Sequence, residues 1–538
     1  MVARWAHNPK VVGSSPAPAT KKAAQIAWLF SFVRCYILGA SFVIYSVLHL
    51  QTKVELAKLN HHNLKNHPVI VVNTQKSATV TGSPNALGTA TISQLLIQYS
   101  LPAIIASLAT SLYNIVDSIF IGRGVGAMAI TGLAITFPLM NLVVAFCVLI
   151  ASGGATITSI FLGQRNIKRA ADVVGNVTAF CLIHSIVIMI VGLHFLEPIL
   201  VFFGATPETL SYATEFMRII LFGTPISYVF LGLNNLMRAT GYPKKAMISA
   251  LLSVGVNVVL APLFIFVFKW GIKGAAMATI FGQTAGLIWV LSHFINKNSF
   301  IHFERDGWKL SLGLLRRIYS IGLSPFLMNC TSCFVVVFLN KALLTYAGDD
   351  GNLAVGAYGI INRTTMFFVM IIFGITQGMQ PILGYNFGAA NWPRVKKTLK
   401  IGIGLATIIS TVGFLCTEIF PDTISSMFTT DRGMIDIARF GFRIFFLAYP
   451  IVGAQIVIQN YFQSIGKPGL SIFLSLTRQL IFLVPLLAIL PPRLGVDGVW
   501  YSICTSDFLA AILAIGTALF MNRRIARQLN QAALTQND

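Results

Sequence analysis

Residues 218–243 read RIILFGTPISYVFLGLNNLMRATGYP, and residues 443–468 read RIFFLAYPIVGAQIVIQNYFQSIGKP. Each is an apolar stretch with an arginine at its start, a proline seven residues on and Gly-x-Pro at its end. Arg218 recurs as Arg443, Pro225 as Pro450, Gly241 as Gly466 and Pro243 as Pro468, always 225 residues later. Working outward, Gly163, Asn166 and Arg169 recur as Gly388, Asn391 and Arg394 at the same spacing. Gly271 and Gly274 recur as Gly495 and Gly498 with a slip of one residue. Polar, Gly and Pro positions held in register at helix ends and kinks mark a duplicated unit of about 220 residues. In membrane proteins two such units build a transporter whose site lies between them.

The composition supports that reading. Of 538 residues, 55% are hydrophobic and only 10% charged, where soluble domains carry roughly 25% charge. The net charge of +22 does not point to nucleic acid, because the basic residues sit in short loops between apolar runs, as in cytoplasmic loops. The seven cysteines are scattered and indicate no disulfide framework. Cys330 and Cys333 lie one turn apart in an apolar run with no second pair nearby, so they read as embedded thiols and not as a metal or redox site.

Runs of about 20 apolar residues cross a bilayer as helices. Twelve are expected, near 92–121, 129–161, 172–195, 212–236, 246–268 and 274–295, then 316–346, 354–384, 398–420, 437–464, 470–490 and 498–521. The fold expected is all-α, with twelve transmembrane helices in two parallel six-helix lobes, 91–310 and 311–525, related by a pseudo-two-fold axis, followed by a cytoplasmic tail at 526–538. One set of alternate loops holds Arg165, Lys168, Arg169, Arg238, Lys244, Lys245, Arg394, Lys396, Lys397, Arg523 and Arg524. The other set is acidic or mixed, with Glu197, Glu208, Asp349, Asp350, Asp422 and Asp431. The positive-inside rule puts the first set, and the C-terminus, in the cytoplasm of a cell whose inner membrane holds the protein.

Residues 1–90 form an extension outside this plan. Residues 24–50 are apolar enough to span, although Arg34 interrupts them, and 51–85 are polar with His61, His62 and His67. Residues 4–20 resemble a conceptual translation across a transfer-RNA gene, so the mature chain is expected to begin near Val80.

Acidic residues within the spans are few. Asp117 sits in SLYNIVDSIFIG on the first helix and Asp507 in SICTSDFLAA on the last. A carboxylate in the bilayer core costs about 2.5–3.5 kcal/mol on insertion scales, so it marks a functional candidate. Tyr113 and Asn114, at i−4 and i−3, share a helical face with Asp117. Asn234, Asn235, Asn257 and Thr279 add polar groups from three further spans; singly, such groups serve as interhelical hydrogen bonds. Arg363 and Arg478 also lie in apolar runs, and Arg478 with Asp507 reads as a structural ion pair. Gln377, Gln380, Gln455, Gln459 and Asn460 fit cavity lining and helix bracing equally well.

At these residues the chain resembles the multidrug and toxic compound extrusion (MATE) family. The likeness covers about residues 88–525 and rests on QYSLPAIIASLATSLYNIVDSIFIGRGVG (98–126), LMRATGYPKKA (236–246), NVVLAPLFIF (257–266) and GIKGAAMAT (271–279). The resemblance implies a twelve-helix antiporter that expels cationic, lipophilic drugs or toxins in exchange for protons or sodium ions. It implies that Asp117 binds the coupling ion, with Asn257 and Thr279 completing the site and Tyr113, Asn114 and Asn234 lining the cavity. No cofactor beyond H+ or Na+ is implied, no metal site beyond sodium at Asp117, and a monomer in the bilayer is expected. Many members carry a second carboxylate just before the proline of the fifth helix, where this chain has Ala261. Acidic positions of a second-lobe sodium site fall on Cys333 or a neighbour and on Ala454. A hard cation such as sodium wants several charged oxygen ligands, so one carboxylate favours the proton.

Phe137, Met140, Phe367 and Met370 offer an adaptable apolar surface for drugs, although lipid-facing helices carry such residues anyway. A flippase for lipid-linked oligosaccharide shares the architecture and calls for a basic central cavity. A major-facilitator carrier would carry an acidic-basic signature after the second helix, absent from FLGQRNIKRA (161–170). An enzyme would need clustered catalytic groups, whereas His184, His194 and His293 are dispersed.

Overall fold

The computed structural model describes residues 86–304 and 306–535, all within one unit, Thr79–Asp538. The expectations for residues 1–85, including the apolar run 24–50, the histidines and the start near Val80, lie outside the described residues. Residues 86–90 belong to the bundle: Ala86–Thr89 is a short helix whose Leu87 is buried.

The first lobe contains α1 (Ile92–Gly124), α2 (Ala127–Gly163), α3 (Ile167–His194), α4 (Pro207–Phe222 and Thr224–Ala239), α5 (Pro243–Pro262, extended by a π-turn Leu263–Val267) and α6 (Gly271–Ile295). The second contains α7 (Leu312–Tyr346), α8 (Gly351–Gly388), α9 (Trp392–Ile419), α10 (Arg432–Phe445 and Tyr449–Ser464), α11 (Pro468–Leu476 with its π-turn Thr477–Leu483 and Val484–Ile489) and α12 (Val496–Thr535). Eleven of these helices are long and apolar enough to cross a bilayer unbroken. The twelfth, α4, corrects the expectation of one continuous span near 212–236, because its two pieces meet at a 55° bend.

Proline chemistry explains the bend. Pro225 has no N–H to give the carbonyl of Leu221, four residues back. The Thr224 hydroxyl donates to that carbonyl instead, at 2.7 Å. In the second lobe Pro450 is preceded by a 3-10 turn, Phe446–Ala448. The repeated Gly-x-Pro also has a physical role. Gly241 (φ 106°) and Gly466 (φ 68°) end α4 and α10 in the left-handed region, and Pro243 and Pro468 then open the first turns of α5 and α11, where a missing N–H costs nothing.

The lobes meet along the last halves of α2 and α8. A Cβ on Gly163 would strike the carbonyl of Tyr385, and one on Gly388 would strike that of Ile160. Gly153 and Gly322 lie against Ile318 and Leu149, while Gly378 and Gly374 lie against Ser100 and Ile104. The described hydrogen bonds between lobes fall here too. Ser100 donates to the Ile375 carbonyl at 3.3 Å, and Gln380 donates to the Ser152 carbonyl and the Thr156 hydroxyl. Arg394 donates to the carbonyls of Leu87 and Ala90. This is the end that carries the basic loops. Toward the other end, Leu112 and Ile115 of α1, Phe137 of α2, Phe334 of α7 and Phe367 of α8 are exposed.

Candidate functional site

Asp117 lies 17 residues beyond Ser100 on α1, roughly 25 Å along the helix axis at 1.5 Å per residue. It is therefore in the half of the molecule away from the lobe contacts. Here α1 packs on the ends of α5 and α6. A Cβ on Gly124 would meet Ile265, and the Phe120 and Phe266 rings meet edge to face at 6.3 Å. That packing buries the Asp117 side chain to 8% exposure.

Two of the residues expected to complete the site meet each other on the two helices that pack against α1. Asn257 of α5 is buried and donates its Nδ2 to Thr279 Oγ1 of α6 at 3.1 Å. The Thr279 hydroxyl in turn donates to the Ala275 carbonyl at 3.1 Å. Tyr113, one turn before Asp117 on α1, is half-buried. Asp117 itself is left over: its Oδ1 is buried and has no hydrogen-bond partner. None of the ion pairs among the described residues includes it. A buried acceptor without a donor costs about 1–3 kcal/mol, more when charged, and a bound cation or proton removes that cost. Ala261, where a second acid would stand, is fully buried and inert.

The other expected residues are placed differently. Asn114 is exposed on α1. Asn234, expected to line the cavity, braces the α4–α5 contact with an amide whose donor and acceptor are both committed. Nδ2 donates to the Ala246 carbonyl (2.8 Å) and Ser249 Oγ (2.6 Å), and Oδ1 accepts from Arg238 (3.2 Å). Ser249 is eight residues from Asn257, roughly 12 Å along α5. Arg363 is exposed on α8. Arg478 and Asp507 form the expected ion pair, Nε to Oδ1 at 2.7 Å and a terminal nitrogen to Oδ2 at 3.4 Å. The second-lobe carboxylate is thus occupied, and the first-lobe carboxylate is bare. Among the glutamines, Gln380 joins the lobes and Gln459 braces α10 against α11 by donating to Ser475.

Two contacts between lobes have no clear signal in the sequence. Arg238, which charge counting places in a loop, sits in the last turn of α4 and donates to Gln377 Oε1 of the other lobe. His184 of α3 and the Tyr319 hydroxyl of α7 share a hydrogen bond of 2.7 Å.

The MatE family profile matches residues 102–263 and 327–489. Its two copies start at the 225-residue spacing of the repeat and end on α5 and α11. The chain belongs to the MatE family. The multidrug export protein MepA of Staphylococcus haemolyticus is 28% identical over 435 residues, covering 81% of this chain and 95% of that protein. MepA of Staphylococcus aureus strain MRSA252 is 26% identical over 430 residues, 80% of this chain and 94% of that protein. The MATE multidrug transporter DinF-BH, solved in a ligand complex, is 34% identical with a TM-score of 0.75, covering 81% of this chain and 97% of that one. A MATE family transporter solved in an outward-facing conformation is 24% identical with a TM-score of 0.76, covering 83% and 99%, and shares the fold. As a MatE member, this chain is a multi-pass membrane transporter, and Asp117 lies within the first family match.

Proposed function

We propose that the protein is a secondary antiporter of the cell inner membrane. It exports cationic, lipophilic compounds in exchange for an ion, most simply a proton, that binds Asp117. The observation that carries this reading is the buried Asp117 carboxylate, whose Oδ1 has no partner and which no ion pair among the described residues neutralises. On α1 and the two helices packed against it, Tyr113, Asn257 and Thr279 carry uncharged oxygens, and Ala261 supplies no second charge. Sodium would want more charged oxygen ligands than this; a proton needs one.

The positive-inside rule assigns the basic-loop end, with the C-terminus of α12, to the cytoplasm. The lobes are closed at that end, so the conformation reads as outward-facing. In the cycle proposed, an ion from outside binds Asp117 and favours release of the compound. The lobes then rock, the ion leaves inward, and the bare carboxylate accepts the next cationic cargo. Exchange of one proton for a monovalent cation moves no net charge, so the proton concentration gradient drives it, about 1.4 kcal/mol and roughly a tenfold cargo gradient per pH unit. The names of the MepA relatives and of the multidrug transporter DinF-BH support a multidrug cargo, and the exposed Phe137 and Phe367 offer it an apolar surface. A flippase for anionic lipid-linked sugars is less well supported, since the Arg478 charge is already met by Asp507.

The test is uptake of a fluorescent lipophilic cation in proteoliposomes under an imposed proton gradient, then an imposed sodium gradient. Proton-driven accumulation with no sodium response is expected. A sodium-only response would overturn the choice of ion, and no response to either would overturn antiport.

A further inference from the structure

Arg238 occupies an unusual position. It is the penultimate residue of α4 at the basic-loop end, and its guanidinium reaches two side chains. On its own lobe it donates to Asn234 Oδ1 at 3.2 Å, and across the lobe boundary it donates to Gln377 Oε1 of α8. Both partners are neutral amides, and none of the ion pairs among the described residues includes it. Asn234 is held rigidly by the Ala246 carbonyl and Ser249 of α5, the helix that also carries Asn257. The repeat places Gln463 where Arg238 would recur, so the second lobe offers no matching cation.

We propose that Arg238 is a positioning residue for transport: its bond to Gln377 latches the two lobes at the basic-loop end, and the bond strength sets how readily that end opens. The chemistry suits a releasable latch. A bond from a cation to a neutral amide is stronger than one between neutral groups, yet weaker than a buried ion pair that would resist opening. When the lobes part, the guanidinium keeps Asn234 and is not orphaned. The neighbouring cross-lobe bonds from Ser100 and Gln380 end on backbone carbonyls or a hydroxyl. The Arg238–Gln377 bond can therefore be strengthened or weakened by one side chain.

This inference rests on the alternating-access reading, and the test separates the two. Spin labels at Lys168 and Lys397, both exposed near the starts of α3 and α9 at the basic-loop end, report the lobe separation by double electron–electron resonance in a chain freed of other cysteines. Gln377→Glu turns the latch into an ion pair, and Gln377→Leu removes the acceptor while leaving Arg238 with Asn234. Gln377→Glu is expected to shift the distribution to the short distance and slow turnover. Gln377→Leu and Arg238→Gln are expected to shift it to the long distance, each by roughly tenfold in the population ratio, the usual worth of a charged hydrogen bond. A merely structural arginine would change yield or melting without moving the Glu and Leu variants in opposite directions. Shifts in the same direction, or none, would overturn the latch. A wild-type distribution with one distance, whatever the pH or substrate, would overturn alternating access itself.

Discussion

Gly163 packs on the carbonyl of Tyr385, and Gly388 packs on the carbonyl of Ile160. Both members of each contact are 225 residues from their counterparts, so the two contacts are one contact repeated by the pseudo-two-fold axis. Backbones this close leave no room for a Cβ. Gly163→Val and Gly388→Val should therefore each destabilise the bundle by about 1–3 kcal/mol, the usual cost of overpacking, and by similar amounts. Thermal unfolding in detergent checks this; one tolerated and one ruinous substitution would contradict the symmetry.

Asp507 and Arg478 should behave as a structural pair. Removing one partner strands a buried charge at a cost of about 3–5 kcal/mol, whereas replacing both with apolar residues is often neutral. Arg478→Met alone should lower the melting temperature markedly, and Arg478→Met with Asp507→Leu should recover most of the loss and retain transport. A double variant as unstable as the single one would argue against this account. The Arg439–Asp422 pair is a useful contrast. Arg439 holds the Asp422 carboxyl below the usual carboxylate range, so its small contribution is present at neutral pH and fades as acid protonates Asp422. The pair is well exposed, and Arg439→Gln should leave neutral-pH melting almost unchanged.

Asn257→Ala removes the amide that fixes the Thr279 hydroxyl but leaves Asp117 buried. Transport should fall roughly tenfold, the scale of a lost buried hydrogen bond, with membrane expression preserved. Full activity in that variant would remove α5 from the ion site.

The helices, the lobes and the 225-residue spacing were legible because span length and Gly/Pro punctuation are local properties of the chain. Even a contact follows from the spacing. Ser253 and Gly282 of the first lobe touch, since a Cβ on Gly282 would strike the Ser253 carbonyl, and their repeats are Arg478 and, with the slip of one residue, Ser506, whose hydroxyl donates to the Arg478 carbonyl. Asp117 was legible because a lone acid in an apolar run needs a reason. The bend in α4 was not, since Pro225 signals a kink without giving its angle. Nor was the role of Asn234, because an amide suits a cavity and a helix brace alike until its partners are known. The first helices also break the repeat. Leu149 touches Gly322 as Gly374 touches Ile104, which pairs Ile104 with Gly322 at a spacing of 218. By that register Asp117 corresponds to the buried Val335, and the second lobe has no matching ion seat.

The central claim is that the bare Asp117 carboxylate carries the coupling ion. The most direct measurement compares wild type with Asp117→Asn, reconstituted at equal density, for uptake of a fluorescent lipophilic cation driven by a proton gradient. The account predicts gradient-driven accumulation by the wild type and none by Asp117→Asn, with the variant still folded by size-exclusion and melting. Equal accumulation by both would contradict it.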